Sequence, residues 1–122
     1  MIGYVTLGTN DLPKAAKFYD AIAAEFGMGR MMDFGSYIAW GTMDGPAGVA
    51  LTKPHDGQLA TVGNGVMVAL QAKDKDQVDR IYAIALAQGG TDEGAPGPRG
   101  GGFYAGYFRD LDGNKLNAFV IG

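Results

Sequence analysis

Cysteine is absent from this 122-residue chain, and histidine and tryptophan occur once each. The missing thiol excludes disulfides, thiolate metal sites and cysteine nucleophiles. It also fits a reducing compartment. Serine is nearly absent as well: Ser36 is the only one. A Ser-His-Asp triad would have to join Ser36, in a strand, to His55, in the linker "KPHDG", and a histidine zinc cluster has no second member. Charge is sparse, with 19% charged residues and a net charge of −3. No basic patch stands out, so nucleic acid and anionic membranes are excluded as partners. No apolar run approaches the roughly 18 residues of a membrane span. The start "MIGYVTLGTNDLP" has neither a basic opening nor a long apolar stretch, so no signal peptide is expected. A cytoplasmic protein is the expectation.

What is abundant is apolar surface and glycine. Hydrophobic residues make up 47% of the chain, enough for one ordinary domain with a core, taken as residues 1–122. The 21 glycines gather in "GTMDGPAG", "GNG", "GGTDEGAPGPRGGG" and "DGN". Such clusters punctuate strands with turns.

The chain repeats itself. Ile2 to Leu7 reads as a strand, with Val5 and Leu7 on one face and Tyr4 and Thr6 on the other. Asn10 is a good helix N-cap and Pro13 suits the first turn. Leu12, Ala15, Ala16, Tyr19, Ile22, Ala23 and Phe26 then form one apolar helical face, which Gly27 and Gly29 end. Val66 to Gln71 repeats the strand, and "DKDQVDRIYAIALAQ" repeats the helix with Val78, Ile81, Tyr82 and Ala85. Asp11 aligns with Asp74, Tyr19 with Tyr82 and Gly27 with Gly90, each pair 63 residues apart. Tyr4 aligns with Met67 at the same offset. Strand candidates follow each helix: "RMMDF", "SYIAW" and "GVALT", then a weak segment near Thr91, "GFYAGYF" and "KLNAFVI". The fold class is α+β: two βαβββ modules, about 1–55 and about 62–122. Their paired sheets are expected to make a curved, cup-shaped mixed β-sheet with the helices outside.

Three segments invite a chemical reading. "DLDGN" opens like a calcium loop, but the sixth and twelfth positions of such a loop need glycine and glutamate. Here they are Lys115 and Ile121, so a hairpin turn is expected. "GPRGGGF" lacks phosphate-loop spacing and reads as a flexible loop or a flap. Tyr37, Trp40, Phe103, Tyr104, Tyr107 and Phe108 cluster in strands, where core packing accounts for most. Arg109 is either a surface cation or an anchor for an anionic ligand.

"YVTLGTNDLPKAAKFYDAI", "TVGNGVMVAL", "GGTDEGAPGPR" and "YFRDLDGNKLNAF" together resemble the vicinal oxygen chelate superfamily. This is the glyoxalase, bleomycin-resistance protein and dioxygenase group, and the resemblance covers essentially the whole chain. It implies a cup whose metal ligands come from the first and last strands of each module. Those positions correspond to Tyr4, Met67, Asn117 and, with a one-residue gap, Ala50. None is a good ligand for a hard or borderline divalent cation. The resemblance therefore implies a cup without a metal, and no cofactor is expected. Tyr4, Met67, Tyr107 and Asn117 would point into it, with Tyr37, Ala50 and Arg109 beside them. That lining either fills the cup or suits a neutral or weakly polar organic ligand. The leading expectation is sequestration of a small organic molecule. The alternatives are a metal-dependent lyase or dioxygenase with atypical ligands, and metal-free acid-base catalysis by Tyr4 or Tyr107. A homodimer is expected, since family members commonly pair.

Overall fold

The structure is a computed structural model describing all residues, 1–122. The first module runs β1 (Tyr4–Gly8), α1 (Leu12–Glu25), β2 (Gly29–Asp33), β3 (Tyr37–Gly41) and β4 (Gly48–Thr52). The second runs β5 (Val68–Gln71), α2 (Lys75–Ala87), β6 (Thr91–Pro98), β7 (Phe103–Arg109) and β8 (Lys115–Ile121). Each module makes one four-stranded mixed sheet, in the orders β1-β4-β3-β2 and β5-β8-β7-β6. The first strand of each module lies parallel to its last strand, and the remaining pairs are antiparallel. The connection through the helix makes this possible, because parallel neighbours need a crossover.

The two helices start in the same way. Asp11 accepts a hydrogen bond from the Lys14 amide, and Asp74 accepts one from the Gln77 amide. The first cap is thus Asp11 rather than Asn10. Asn10 instead faces the linker: its Oδ1 accepts from the Ala60 amide at 2.7 Å, and its Nδ2 donates to the Ala60 carbonyl. The expected helical face is buried except for Phe26, which caps the C-terminus, and Phe18 joins it. Phe18 lies at the flank of the apolar stripe, where it reaches Phe108 of the other module at 6.3 Å between ring centroids.

Within each sheet one face carries the helix. Leu7, Ile38, Trp40 and Leu51 of the first sheet, and Phe108, Leu116 and Ala118 of the second, join both helices in a single hydrophobic cluster. α1 and α2 also pack on each other. The modules therefore share one core, built from their helix faces. Strand alternation sends every second side chain to the opposite, open face of each sheet. The two open faces consequently point away from the shared core, and no strand of one sheet bonds to the other.

The "DLDGN" segment is the hairpin turn between β7 and β8, closed by the Asp110 amide to the Asn114 carbonyl at 2.9 Å. It also clamps the modules together. Asp110 is buried and accepts from the Tyr19 hydroxyl at 2.6 Å, from the Asn114 side chain, and from the Asp112 and Asn114 amides. Asp112 accepts from the Asn10 amide, and the Asn114 side chain donates to the Gly8 carbonyl. Burial first, then the Asp110 charge and hydrogen bond, push the Tyr19 hydroxyl well above the ordinary phenol value of 10.0.

The glycine-rich segment is more regular than expected. β6 continues through Pro98, and residues 99–102 turn back into β7, with the Arg99 amide donating to the Phe103 carbonyl at 2.7 Å. Gly100, Gly101 and Gly102 all have positive φ, at 90°, 62° and 78°. Three such residues in a row are sterically open only to glycine.

Candidate functional site

The register fixes which residues share the open face of the second sheet. Tyr107 sits opposite Asn117, Ala105 opposite Phe119, and Arg109 opposite Lys115. On the other side of β8, Ala69 sits opposite Asn117. Asn117 is thus the centre of this face, flanked by Ala69 and Tyr107, and it is only 1% exposed. Its Oδ1 is buried with no hydrogen-bond partner. An orphaned buried acceptor costs roughly 1–3 kcal/mol of desolvation, so its presence calls for a reason. Phe119 stacks on Phe103 at 5.3 Å and extends the face as an aromatic floor.

Positive charge surrounds Tyr107. The Arg99 guanidinium lies 5.4 Å from the ring centroid and the Lys115 ammonium 5.5 Å. Arg109 is on the same face, but its charge is committed: it pairs with Glu93 and donates to the Gly113 carbonyl at 2.8 Å. The expectation that Arg109 would anchor an anion therefore meets an occupied guanidinium.

The open face of the first sheet is uncharged. Tyr4 and Thr6 of β1 sit opposite Gly48 and Ala50 of β4, and Ala50 sits opposite Ala39 of β3. Tyr37, two residues before Ala39 on that face, meets Tyr4 edge-on at 6.3 Å and brings its hydroxyl within 3.5 Å of Thr6 Oγ1. Ala39 and Ala50 are fully buried and form the floor, while Tyr4 remains 51% exposed. Hydrogen bonding to Tyr37, then its charge and a little burial, raise the Tyr4 hydroxyl above 10.0. A raised value keeps the phenol protonated near neutrality, which suits a hydrogen-bond donor and works against a general base.

The predicted residues thus fall into two groups. Tyr4, Tyr37 and Ala50 share the first open face. Tyr107, Arg109 and Asn117 share the second, and Met67 lies just before β5 rather than inside it, 41% exposed. One chain does not bring the two groups together, because they lie on opposite outer faces of the shared core. A cavity of about 700 Å³ lies elsewhere, in the seam between the modules. Tyr19, Phe26, Trp40, Leu70 and Gln77 line it, and none of the predicted residues does. The Gln77 amide there is already satisfied, accepting from the Lys73 amide at 2.9 Å and donating to the Glu25 carbonyl at 3.1 Å. The seam therefore holds no buried polar atom left without a partner, such as the second open face has in Asn117 Oδ1.

Metal chemistry finds a poor donor set. The four positions implied for ligands offer a phenol, a thioether, a neutral amide and a methyl group. No three His, Cys, Asp or Glu side chains anywhere in the chain group closely enough to hold an ion. The carboxylates of "DLDGN" are spent on backbone amides, Asn114 and Tyr19. Such donors do not fit a hard divalent cation.

Two features of the site were not read from the sequence: Arg99 and Lys115. The available signal was Gly94 and Gly97 shortly before an arginine. A side chain at either would meet the Arg99 guanidinium, at 3.4 and 3.1 Å.

Comparison with known proteins shows the same fold. The chain superposes on a glyoxalase/bleomycin resistance protein from Albidiferax ferrireducens T118 with a TM-score of 0.92, 36% identity, and coverage of 100% and 99% of the two chains. A hypothetical protein from S. aureus matches with a TM-score of 0.76, 27% identity, and coverage of 96% and 91%. The lactoylglutathione lyase from Agrobacterium tumefaciens shares the fold, with a TM-score of 0.70, 22% identity, and coverage of 98% and 92%. No curated protein matches the sequence significantly. The family profile described as "Glyoxalase/Bleomycin resistance protein/Dioxygenase superfamily" matches residues 1–118, and the chain belongs to that superfamily.

Proposed function

We propose that this protein binds a small organic molecule, without a metal, in a cup formed from its open sheet faces, and that it does so in the cytoplasm as a homodimer. The carrying observation is Asn117, whose buried Oδ1 lacks a partner at the centre of an aromatic face. The acceptor lies beneath its neighbours on the face. A ligand N–H or O–H that displaces this cover would supply the missing hydrogen bond, and apolar walls with few polar tips suit a small ligand. The donor set supports the metal-free part of the reading.

The dimer follows from where the half-sites lie. β1 and β5 are both edge strands, and Ile2, Tyr4, Val66 and Met67 are exposed along or just before them. Unpaired edges beside apolar side chains favour association. Setting the β1 edge of one chain beside the β5 edge of another would join an uncharged half-cup to a cationic one. Each cup would then hold Tyr4 and Tyr37 of one chain and Tyr107 and Asn117 of its partner.

Two measurements test the reading. Protein purified without chelator should contain no stoichiometric zinc, iron, manganese or nickel by elemental mass spectrometry, and one equivalent of metal per chain would overturn the metal-free reading. Light scattering on a sizing column should give twice the chain mass, and a monomer at all concentrations would remove the shared cup.

A further inference from the structure

We infer that the cup takes an organic anion, a planar or aromatic carboxylate, with its acid group held by Arg99 and Lys115. This rests on the reading of the open faces as a ligand site and names the class of ligand.

The charge distribution carries the inference. The four side-chain ion pairs of the chain engage Arg30, Arg80 and Arg109. Arg99 and Lys115 have no carboxylate partner, yet both come within 5.5 Å of the same ring. The only acid paired on this face, Glu93, is neutralised by Arg109. The face therefore keeps two uncompensated cations in a chain whose net charge is −3.

Arg99 is also built into place. Its side chain folds back from the hairpin turn over β6, where Gly94 and Gly97 leave a trough without side chains. Nη2 donates to the Ala95 carbonyl at 2.7 Å and Nη1 makes a longer contact to the Pro98 carbonyl at 3.4 Å. The guanidinium carries five N–H donors, so several remain for a ligand. Its planar fork matches a carboxylate, and fixing it in advance lowers the entropy lost on binding. Tyr107, which carries both cations beside its ring and sits opposite Asn117, presents a hydroxyl with no intrachain partner. A carboxylate near that hydroxyl would receive charged hydrogen bonds from Arg99 and Lys115. A flat body would lie on Ala69 and Phe119, and a donor on it that displaces the cover over Asn117 Oδ1 would bond that acceptor.

The test is an amide-resolved NMR titration of the full chain with 4-hydroxybenzoate and with its neutral partner, 4-hydroxybenzamide. Charged hydrogen bonds predict about tenfold tighter binding of the acid, with shifts at Ala69, Ala105, Tyr107 and Asn117. Arg99→Gln lies on an exposed turn and should leave the melting temperature unchanged. It should abolish the preference for the acid while changing amide binding less than about twofold. Gly97→Ala, which crowds the guanidinium without strained backbone, should weaken acid binding severalfold. Acid and amide binding equally, with shifts on these same residues, would remove the anion anchor and leave the cup. Shifts confined to the seam around Trp40 and Gln77, or none with either compound at millimolar concentration, would remove both.

Discussion

The two modules repeat one plan on their helix faces and diverge on their open faces. Val5 and Leu7 correspond to Val68 and Leu70, and Asp11 and Asp74 cap equivalent helices through equivalent bonds. Phe18 and Ile81, also 63 residues apart, are both fully buried in the shared core. Across the sheets the likeness ends. The first open face is neutral, with Tyr4 against Tyr37 over alanines, whereas the second holds Arg99, Lys115 and the orphaned Asn117. A duplicated fold constrains the faces that must pack together. It leaves the outward faces free to take different chemistry.

The sharpest way to break this comparison is to attack the shared core. Phe18→Ala should cost about 4 kcal/mol by urea denaturation, since a fully buried aromatic contacting the other module leaves a cavity. Next come the turns. Asp110→Ala strands the Tyr19 hydroxyl and three other donors and should cost about 3 kcal/mol. Asp44, in the exposed turn before β4 of the first module, should tolerate alanine within about 0.5 kcal/mol. A large loss at Asp44 would mean that the first turn also carries stability.

The paired tyrosines sharpen the comparison through pH. Tyr19 and Tyr82 both donate to aspartates, at 2.6 and 2.7 Å, and both have values raised above 10.0. Burial leads for Tyr19, and the Asp92 hydrogen bond leads for the more exposed Tyr82. A raised folded value means that the unfolded chain loses its proton first. The stabilisation is therefore complete below pH 10 and is lost as pH rises through the folded value. Urea midpoints should fall above pH 10, and Tyr19→Phe should remove more of that slope than Tyr82→Phe. Equal effects would contradict the difference in burial. The smallest effect belongs to the first open face, where Tyr4→Phe should change stability by less than about 0.5 kcal/mol.

The repeat, the helices and the alternating faces were legible because they depend on local periodicity. Tyr4, Tyr37, Tyr107 and Asn117 were singled out through the family resemblance, and the register shows which of them share a face. The missed features depend on partners distant in sequence. Phe18 falls off the stripe of its own helix and is buried where the other module, with Phe108, packs against it. Asp110 reads as an ordinary turn residue until Tyr19, 91 positions away, reaches it. Arg99 looked like part of a loose loop because its support is a trough made by missing side chains. Arg109 looked free because its partner Glu93 lies in a strand that was only weakly marked.

The most direct measurement is the stability and ligand content of Asn117→Leu. Leucine keeps the branched heavy-atom skeleton, with bulkier methyl ends, and removes the buried acceptor that nothing in the chain satisfies. The account predicts a gain of about 1 kcal/mol in urea denaturation, together with loss of 4-hydroxybenzoate binding. A loss of stability with binding retained would show that Asn117 serves the fold and that the ligand sits elsewhere.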